Sequence, residues 1–193
     1  SCYGSHAEGC YTVASGDYSH ASGNNTIAQR KSKTTIGEYN VSDTTGASFS
    51  VRGSYAFIIG NGTADNAKSN ALTVDWDGNL WIAGTYSNGN SDYAEKFETL
   101  EECPIRHFVT LDGEKIRLAQ PEDNYILGVV SENPSILGDV DIEGVPVGML
   151  GKLWVEHDGT AKVNEYVTCG YNGIATADVH GMGYRVMAVD GNM

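Results

Sequence analysis

Ser91-Asp92-Tyr93-Ala94-Glu95-Lys96-Phe97-Glu98 places three carboxylates and a serine hydroxyl within one short run. Paired carboxylates suit acid–base chemistry, in which one ionised group takes a proton and a protonated one gives a proton to a leaving group. If residues 92–102 (DYAEKFETLEE) form one or two helical turns, Asp92, Glu95 and Glu98 stand three apart on one face. Repulsion among carboxylates so placed would raise at least one pKa, which is how one acid and one base can coexist at neutral pH. Two plainer readings stand beside this one. Carboxylates are common at helix starts, where they complement the dipole. Tyr93-Ala94-Glu95 can equally continue as an extended strand. The run follows a Gly/Asn/Ser stretch that ends at Ser91, where a backbone bends easily into reach.

Other catalytic equipment is not evident. There is no Gly-x-Ser-x-Gly elbow and no zinc-binding helix motif. His107, His157 and His180 are scattered and read as surface or structural residues. Cys2, Cys10, Cys103 and Cys169 show no CxxC spacing and have no His or Cys at ligand spacing. Free thiols are expected, with no metal and no organic cofactor.

The elements that must position the carboxylates read as mostly β. The chain has 193 residues, with 24 Gly and 11 Tyr among many Thr, Val and Ser, a composition of strands and tight turns. A net charge of -13 argues against nucleic acid and against anionic membrane surfaces. No run of apolar residues is long enough to span a bilayer as a helix. The chain opens at Ser1 with no signal peptide and reads as a piece of a longer polypeptide.

Written in sevens from Ser5, the opening reads SHAEGCY, TVASGDY, SHASGNN, TIAQRKS. Alanine recurs at Ala7, Ala14, Ala21 and Ala28, and glycine at Gly9, Gly16 and Gly23. Gly and β-branched residues exclude a helix, and a small repeated residue excludes a coiled coil. The pattern predicts stacked β-coils, with Ala packed inward and Gly supplying bends of positive φ. His6 and His20 fall at equivalent points and predict a surface or interface ladder rather than a metal site.

Farther on, ASFSVRG, YAFIIGNG and ALTVDWDGNLWIAG predict short strands. Asp77-Gly78-Asn79 is a hairpin signal that puts Trp76 and Trp81 on its two arms for cross-strand packing. After residue 92, Asp112-Gly113 marks another hairpin and Asp158-Gly159 another turn. The expected organisation is a β-roll stub over 1–44, a strand-rich connector over 45–91 and a compact barrel-like or sandwich-like domain with one short helix over 92–193.

Several stretches carry a family resemblance. SHAEG, TVASG, SHASG and TIA resemble the repeats of trimeric adhesin heads, left-handed β-rolls also found in phage tail fibres, over about residues 4–40. IIGNGTADNAKSNALTVDWDGNLWIAGTY resembles the segment that joins tail-fibre or tail-spike shafts to a self-processing chaperone. SDYAEKFE is similar to the D-Y-A-E-x-F-E signature of phage intramolecular chaperones that cut themselves off and are classed with glutamic peptidases. ILGVVSENPSILGD (126–139), VPVGMLGKLWVEHDG (145–159) and NGIATA (172–177) are similar to the same family.

The resemblance implies a homotrimeric folding chaperone of a tail fibre or tail spike, attached to the upstream shaft of the same polypeptide. It would release itself by one self-cleavage at Ser91–Asp92, an enzyme only in the sense of a single turnover. Glu95 and Glu98 would be the acid–base pair, and the Asp92 carboxylate could take part. A variant has the Ser91 hydroxyl attack its own preceding carbonyl, which cuts at Asn90–Ser91 instead. The implied location is the virion tail, assembled in the host cytoplasm. Two other readings stay open. One is a structural trimeric fibre or adhesin tip that never cuts. The other is a tip that binds host-surface glycan through Tyr and Trp.

Overall fold

In a computed structural model, which describes residues 2–87, 89, 91–181 and 183–193, the seven-residue repeat becomes one side of a parallel β-coil. Left-handed backbone recurs every seventh residue, at Gly4, Tyr11, Tyr18, Asn25, Ser32 and Tyr39. Between these corners run β1 (His6–Cys10), β2 (Val13–Ala14), β3 (His20–Asn24), β4 (Ile27–Ala28) and β5 (Thr34–Glu38). Rungs stack in parallel with a repeat of two heptads: His6 pairs with His20, His20 with Thr34, and Val13 with Ile27. A left-handed corner costs a non-glycine residue about 1–2 kcal/mol. Stacking offsets this by satisfying the corner amides. The N–H of Asn25, Ser32 and Tyr39 donate to the carbonyls of Cys10, Asp17 and Asn24, one turn back.

Ala21 and Ala28 pack inward as expected and are fully buried, whereas Ala14 is half-buried and Ala7, on the first rung, is exposed. Gly9 and Gly23 have the expected positive φ, 112 and 118, but do not turn the corners. Gly9 and Gly23 lie inside strands, and a Cβ there would stand 2.1 and 2.0 Å from the carbonyl oxygen of the next rung. They are required by close backbone approach, while the corners are turned mostly by Tyr, Asn and Ser. The His6 and His20 rings stack with centroids 5.1 Å apart.

β6 (Tyr55–Asn61) adds one more parallel rung, Gly37 pairing with Gly60. β7 (Asn70–Asp75) and β8 (Leu80–Ile82) follow as the hairpin expected around Asp77-Gly78-Asn79. Trp81 meets Tyr55 edge-on at 5.9 Å, and the Trp76 indole N–H donates to the Gly53 carbonyl at 2.9 Å. These strands belong to one compact unit, Ser1–Tyr86.

The second unit, Ser87–Met193, is also built of strands. They are β9 (Asp92–Phe97), β10 (Phe108–Asp112), β11 (Lys115–Leu118), β12 (Gly128–Val130), β13 (Ile136–Gly138), β14 (Val145–Gly151), β15 (Tyr166–Cys169), β16 (Ala175–Ala177) and β17 (Tyr184–Arg185). A six-stranded sheet has the order β11-β10-β12-β14-β9-β13, and a three-stranded sheet the order β16-β15-β17. Strand alternation divides the core. Val109, Ile116, Val130 and Val147 pack together with Cys103. Phe108 and Val129 instead pack against Val167, Cys169 and Ala175 of the small sheet. All four cysteines are free, and burial pushes the Cys169 thiol up to about 11.

The mostly-β expectation holds, but the short helix at 92–102 does not form. Asp92–Phe97 is a strand, and the helical element among the described residues is a 3-10 turn at Tyr171–Gly173. The carboxylate spacing permits a helix face, but Tyr93 and Phe97 favour extended backbone and β9 has partner strands on both edges. Non-local pairing decides what local spacing leaves open. Among the described residues, no helix is long and apolar enough to cross a membrane.

Candidate active site

β9 lies between β14, antiparallel, and β13, parallel. Gly151 of β14 stands opposite Asp92, while Val147 and Gly138 flank Glu95. Successive side chains therefore alternate across the sheet. Asp92 and Ala94 go to the buried face, and Tyr93 and Glu95 go to the other. The Tyr93 hydroxyl donates to Glu95 Oε1 at 2.5 Å. That bond, followed by burial, raises the Tyr93 hydroxyl above its ordinary pKa.

The Ser91–Asp92 peptide bond sits at the N-terminal rim of β9. Ser91 is exposed, and its Oγ donates to the Lys152 carbonyl at 3.2 Å. Asp92 is 6% exposed. Its Oδ2 accepts a 2.6 Å bond from Ser131 Oγ. The Ser135 N–H donates to the Asp92 carbonyl at 2.9 Å and reaches its Oδ1 at 3.4 Å.

β14 is shaped to meet this bond. A bulge between Gly148 and Leu150 shifts its register so that Gly151, at φ 119, closes on the junction. A Cβ on Gly151 would stand 2.0 Å from the Ser91 carbonyl oxygen, so only glycine fits. A cleft of about 250 Å³ opens here, with Ser91, Asp92, Ser131 and Lys152 among its lining residues. Arg106 is also on its wall and is paired to Glu132 at 2.6 Å.

The expected carboxylate face does not assemble. Asp92 and Glu95 point to opposite faces of β9, which a helix would have brought together. Glu98 lies past the end of the strand and pairs with Lys115 Nζ at 2.6 Å, both side chains about half exposed. Six residues of extended chain separate Glu98 from Asp92, about 20 Å. The residues gathered around the junction are Ser131, Ser135, Gly151 and Lys152, which spacing rules did not single out. Their segments carried only the family resemblance. The variant cut at Asn90–Ser91 depends on Asn90, which lies outside the described residues. Among the described residues no group of three or more His, Cys, Asp or Glu is placed to hold a metal ion. The atoms bonded to Asp92 are a hydroxyl and an amide.

The family described as "Peptidase_G2, IMC autoproteolytic cleavage domain" matches residues 32–143, more than half of the chain and all of β9. The chain belongs to this family. The similarity that DYAEKFE suggested is therefore a family membership, and the domain is of a self-cleaving class. The Peptidase_G2 match also includes Ser131 and Ser135, but ends before β14. The fold is similar to a solved structure, "Crystal structure of the pre-mature bacteriophage phi29 gene product 12", with a TM-score of 0.62 and 19% identity. The similarity covers 91% of this chain and 31% of the phage protein, so the chain spans about a third of that protein's length. Curated protein sequences give no match.

Proposed function

We propose that this Peptidase_G2 domain is the C-terminal trimerisation chaperone of a phage tail fibre or tail spike, and that it cuts its own chain once, at Ser91–Asp92. The observation that carries the reading is the junction itself. A nearly buried aspartate, the carbonyl of an exposed serine approached closely by a side-chain-free Gly151 and an open cleft coincide at one peptide bond.

The chemistry is hydrolysis by two carboxyl groups. One, ionised, takes a proton from water as the water oxygen attacks the Ser91 carbonyl carbon. The other, protonated, gives its proton to the Asp92 nitrogen as the C–N bond breaks. The products are a Ser91 carboxylate and a new α-amine on Asp92. Asp92 is the group at the bond, and Glu95 is the second. Opposite faces of β9 keep the two apart within one chain. The working pair therefore joins Asp92 of one protomer with Glu95 of another, which makes cutting conditional on a correct homotrimer. Glu98 has no part in the step.

This arrangement suits a fibre. A parallel coil has mainly non-local contacts and folds slowly, and three chains must start in register. A domain that associates first raises the local concentration of the upstream strands. Removal after folding leaves the shaft kinetically trapped, because its nucleating element is no longer attached. Such a protein belongs to the virion tail and is assembled in the host cytoplasm.

The test is intact mass spectrometry of freshly purified, denatured protein. Two species that sum to the full chain plus one water, one beginning at Asp92, are expected. Asp92→Asn and Glu95→Gln should each remain at full mass. A wild-type chain that stays uncut as a native trimer would instead favour a structural fibre tip.

A further inference from the structure

Ser131 follows β12 directly and is firmly mounted. Its N–H donates to the Pro146 carbonyl at 2.8 Å, Val130 pairs with Val147, and the Val130 N–H donates to the His107 carbonyl at 3.0 Å. The residue is 6% exposed and lines the junction cleft. Its hydroxyl has one proton, given to Asp92 Oδ2 at 2.6 Å. That length falls in the short range of O–H bonds to carboxylates.

Little else holds this carboxylate. Among the described residues no Lys, Arg or His forms an ion pair with Asp92. The Ser135 N–H reaches Oδ1 only at 3.4 Å and bonds better to the Asp92 carbonyl, at 2.9 Å. Of the two bonds that set how Asp92 presents its carboxylate, the Ser131 hydroxyl's is much the shorter, and it comes from a rigid strand end. A reacting group held a fraction of an ångström out of place loses rate steeply.

We propose that Ser131 is a positioning residue for self-cleavage: its hydroxyl locks the Asp92 carboxylate in the orientation that serves the Ser91–Asp92 bond. The assignment rests on the reading that Asp92 takes part in cutting that bond. Ser131 itself forms no bond to the reacting atoms and acts only through Asp92.

The experiment follows the first-order cleavage of full-length chain by intact mass over a range of pH. It compares wild type, Ser131→Ala, Ser131→Thr and Ser131→Cys, with Asp92→Asn and Glu95→Gln as controls on the reaction. Ser131→Ala is expected to slow cutting about tenfold or more and to displace the pH–rate profile, with cooperative melting retained. Ser131→Thr, which keeps the hydroxyl, should recover most of the rate; Ser131→Cys should not. Ser131→Ala cutting at the wild-type rate with the wild-type profile would overturn the assignment while leaving the cleavage reading intact. If Ser131→Ala fails to fold, the Thr and Cys variants decide: faster Thr supports the assignment, and equal rates overturn it. If wild type does not cut, or if both controls cut normally, the cleavage reading falls and the role of Ser131 with it.

Discussion

Lys33 donates to Asp43 Oδ2 inside the parallel coil, and neither side chain reaches solvent. Burial raises the Asp43 carboxyl, but bonds from Lys33, Thr45 and the Tyr55 N–H outweigh it and hold the pKa at about 2. Burial works in the other sense on Lys33 and lowers it, with the Asp43 bond opposing. The acid response of this pair is thus carried by Asp43. Its folded value lies below the ordinary 3.8, so its stabilisation is complete above about pH 4 and fades as pH falls towards 2. Asp43→Asn should cost roughly 3–5 kcal/mol, because it strands a buried ammonium. Chemical denaturation at neutral pH measures the cost. Melting at falling pH checks the linkage, and an unchanged midpoint between about pH 4 and 2 would sink it.

Gly23 and Gly78 separate two uses of glycine. Both have positive φ, 118 and 87. A Cβ on Gly23 would stand 2.0 Å from the Gly37 carbonyl oxygen, whereas one on Gly78 meets nothing within 4 Å. Gly78→Ala should cost about 1 kcal/mol, the left-handed strain alone. Gly23→Ala should cost about 4 kcal/mol or more, since the obstacle is backbone in the rung ladder. Urea denaturation of the two variants decides. Equal losses would mean that close approach is not why the repeat keeps its glycine.

How much of this was legible depends on how local each cause is. The Ala and Gly spacing announced a coil because each rung repeats the same packing problem. Asp77-Gly78 and Asp112-Gly113 announced hairpins because turn chemistry is local. The corners were hidden, since nothing in Tyr11 or Tyr18 favours left-handed backbone; stacking imposes it. β9 was ambiguous because acidic residues three apart fit a helix face and a strand alike. Ser131 was out of reach because 39 residues separate it from Asp92 and only sheet pairing brings them together.

Glu98→Gln is the variant that tests the strand geometry. On a helix, Glu98 would share a face with Glu95; on β9 it lies beyond the strand, bonded to Lys115. Glu98→Gln should cut within about twofold of wild type, far from the 10²–10⁴-fold typical of a lost acid or base. The Lys115 ammonium, which Glu98 raises, should return to its ordinary range. A mass-spectrometric time course reads the rate. A block as complete as that of Glu95→Gln would mean that cleavage uses a different arrangement of residues 92–102.

Tyr93 and Glu95 form a second oriented pair, on the other face of β9. The hydroxyl donates at 2.5 Å, and a Cβ on Gly138 would stand 3.2 Å from that same hydroxyl oxygen, so the strand beside it leaves little room for another arrangement. Tyr93→Phe keeps the ring and removes the donor, leaving Glu95 free to turn. Cutting should slow about tenfold, the scale of a misoriented catalytic group, while thermal melting stays where it was. The bond also has a spectroscopic sign. Glu95 raises the Tyr93 hydroxyl, so Tyr93 should ionise later than an ordinary tyrosine in wild type and earlier in Glu95→Gln. Ultraviolet titration of the two proteins, with Tyr93→Phe to assign the signal, checks this. An identical titration in both would show that the Tyr93–Glu95 bond is not maintained in solution, and Tyr93→Phe should then cut at the wild-type rate.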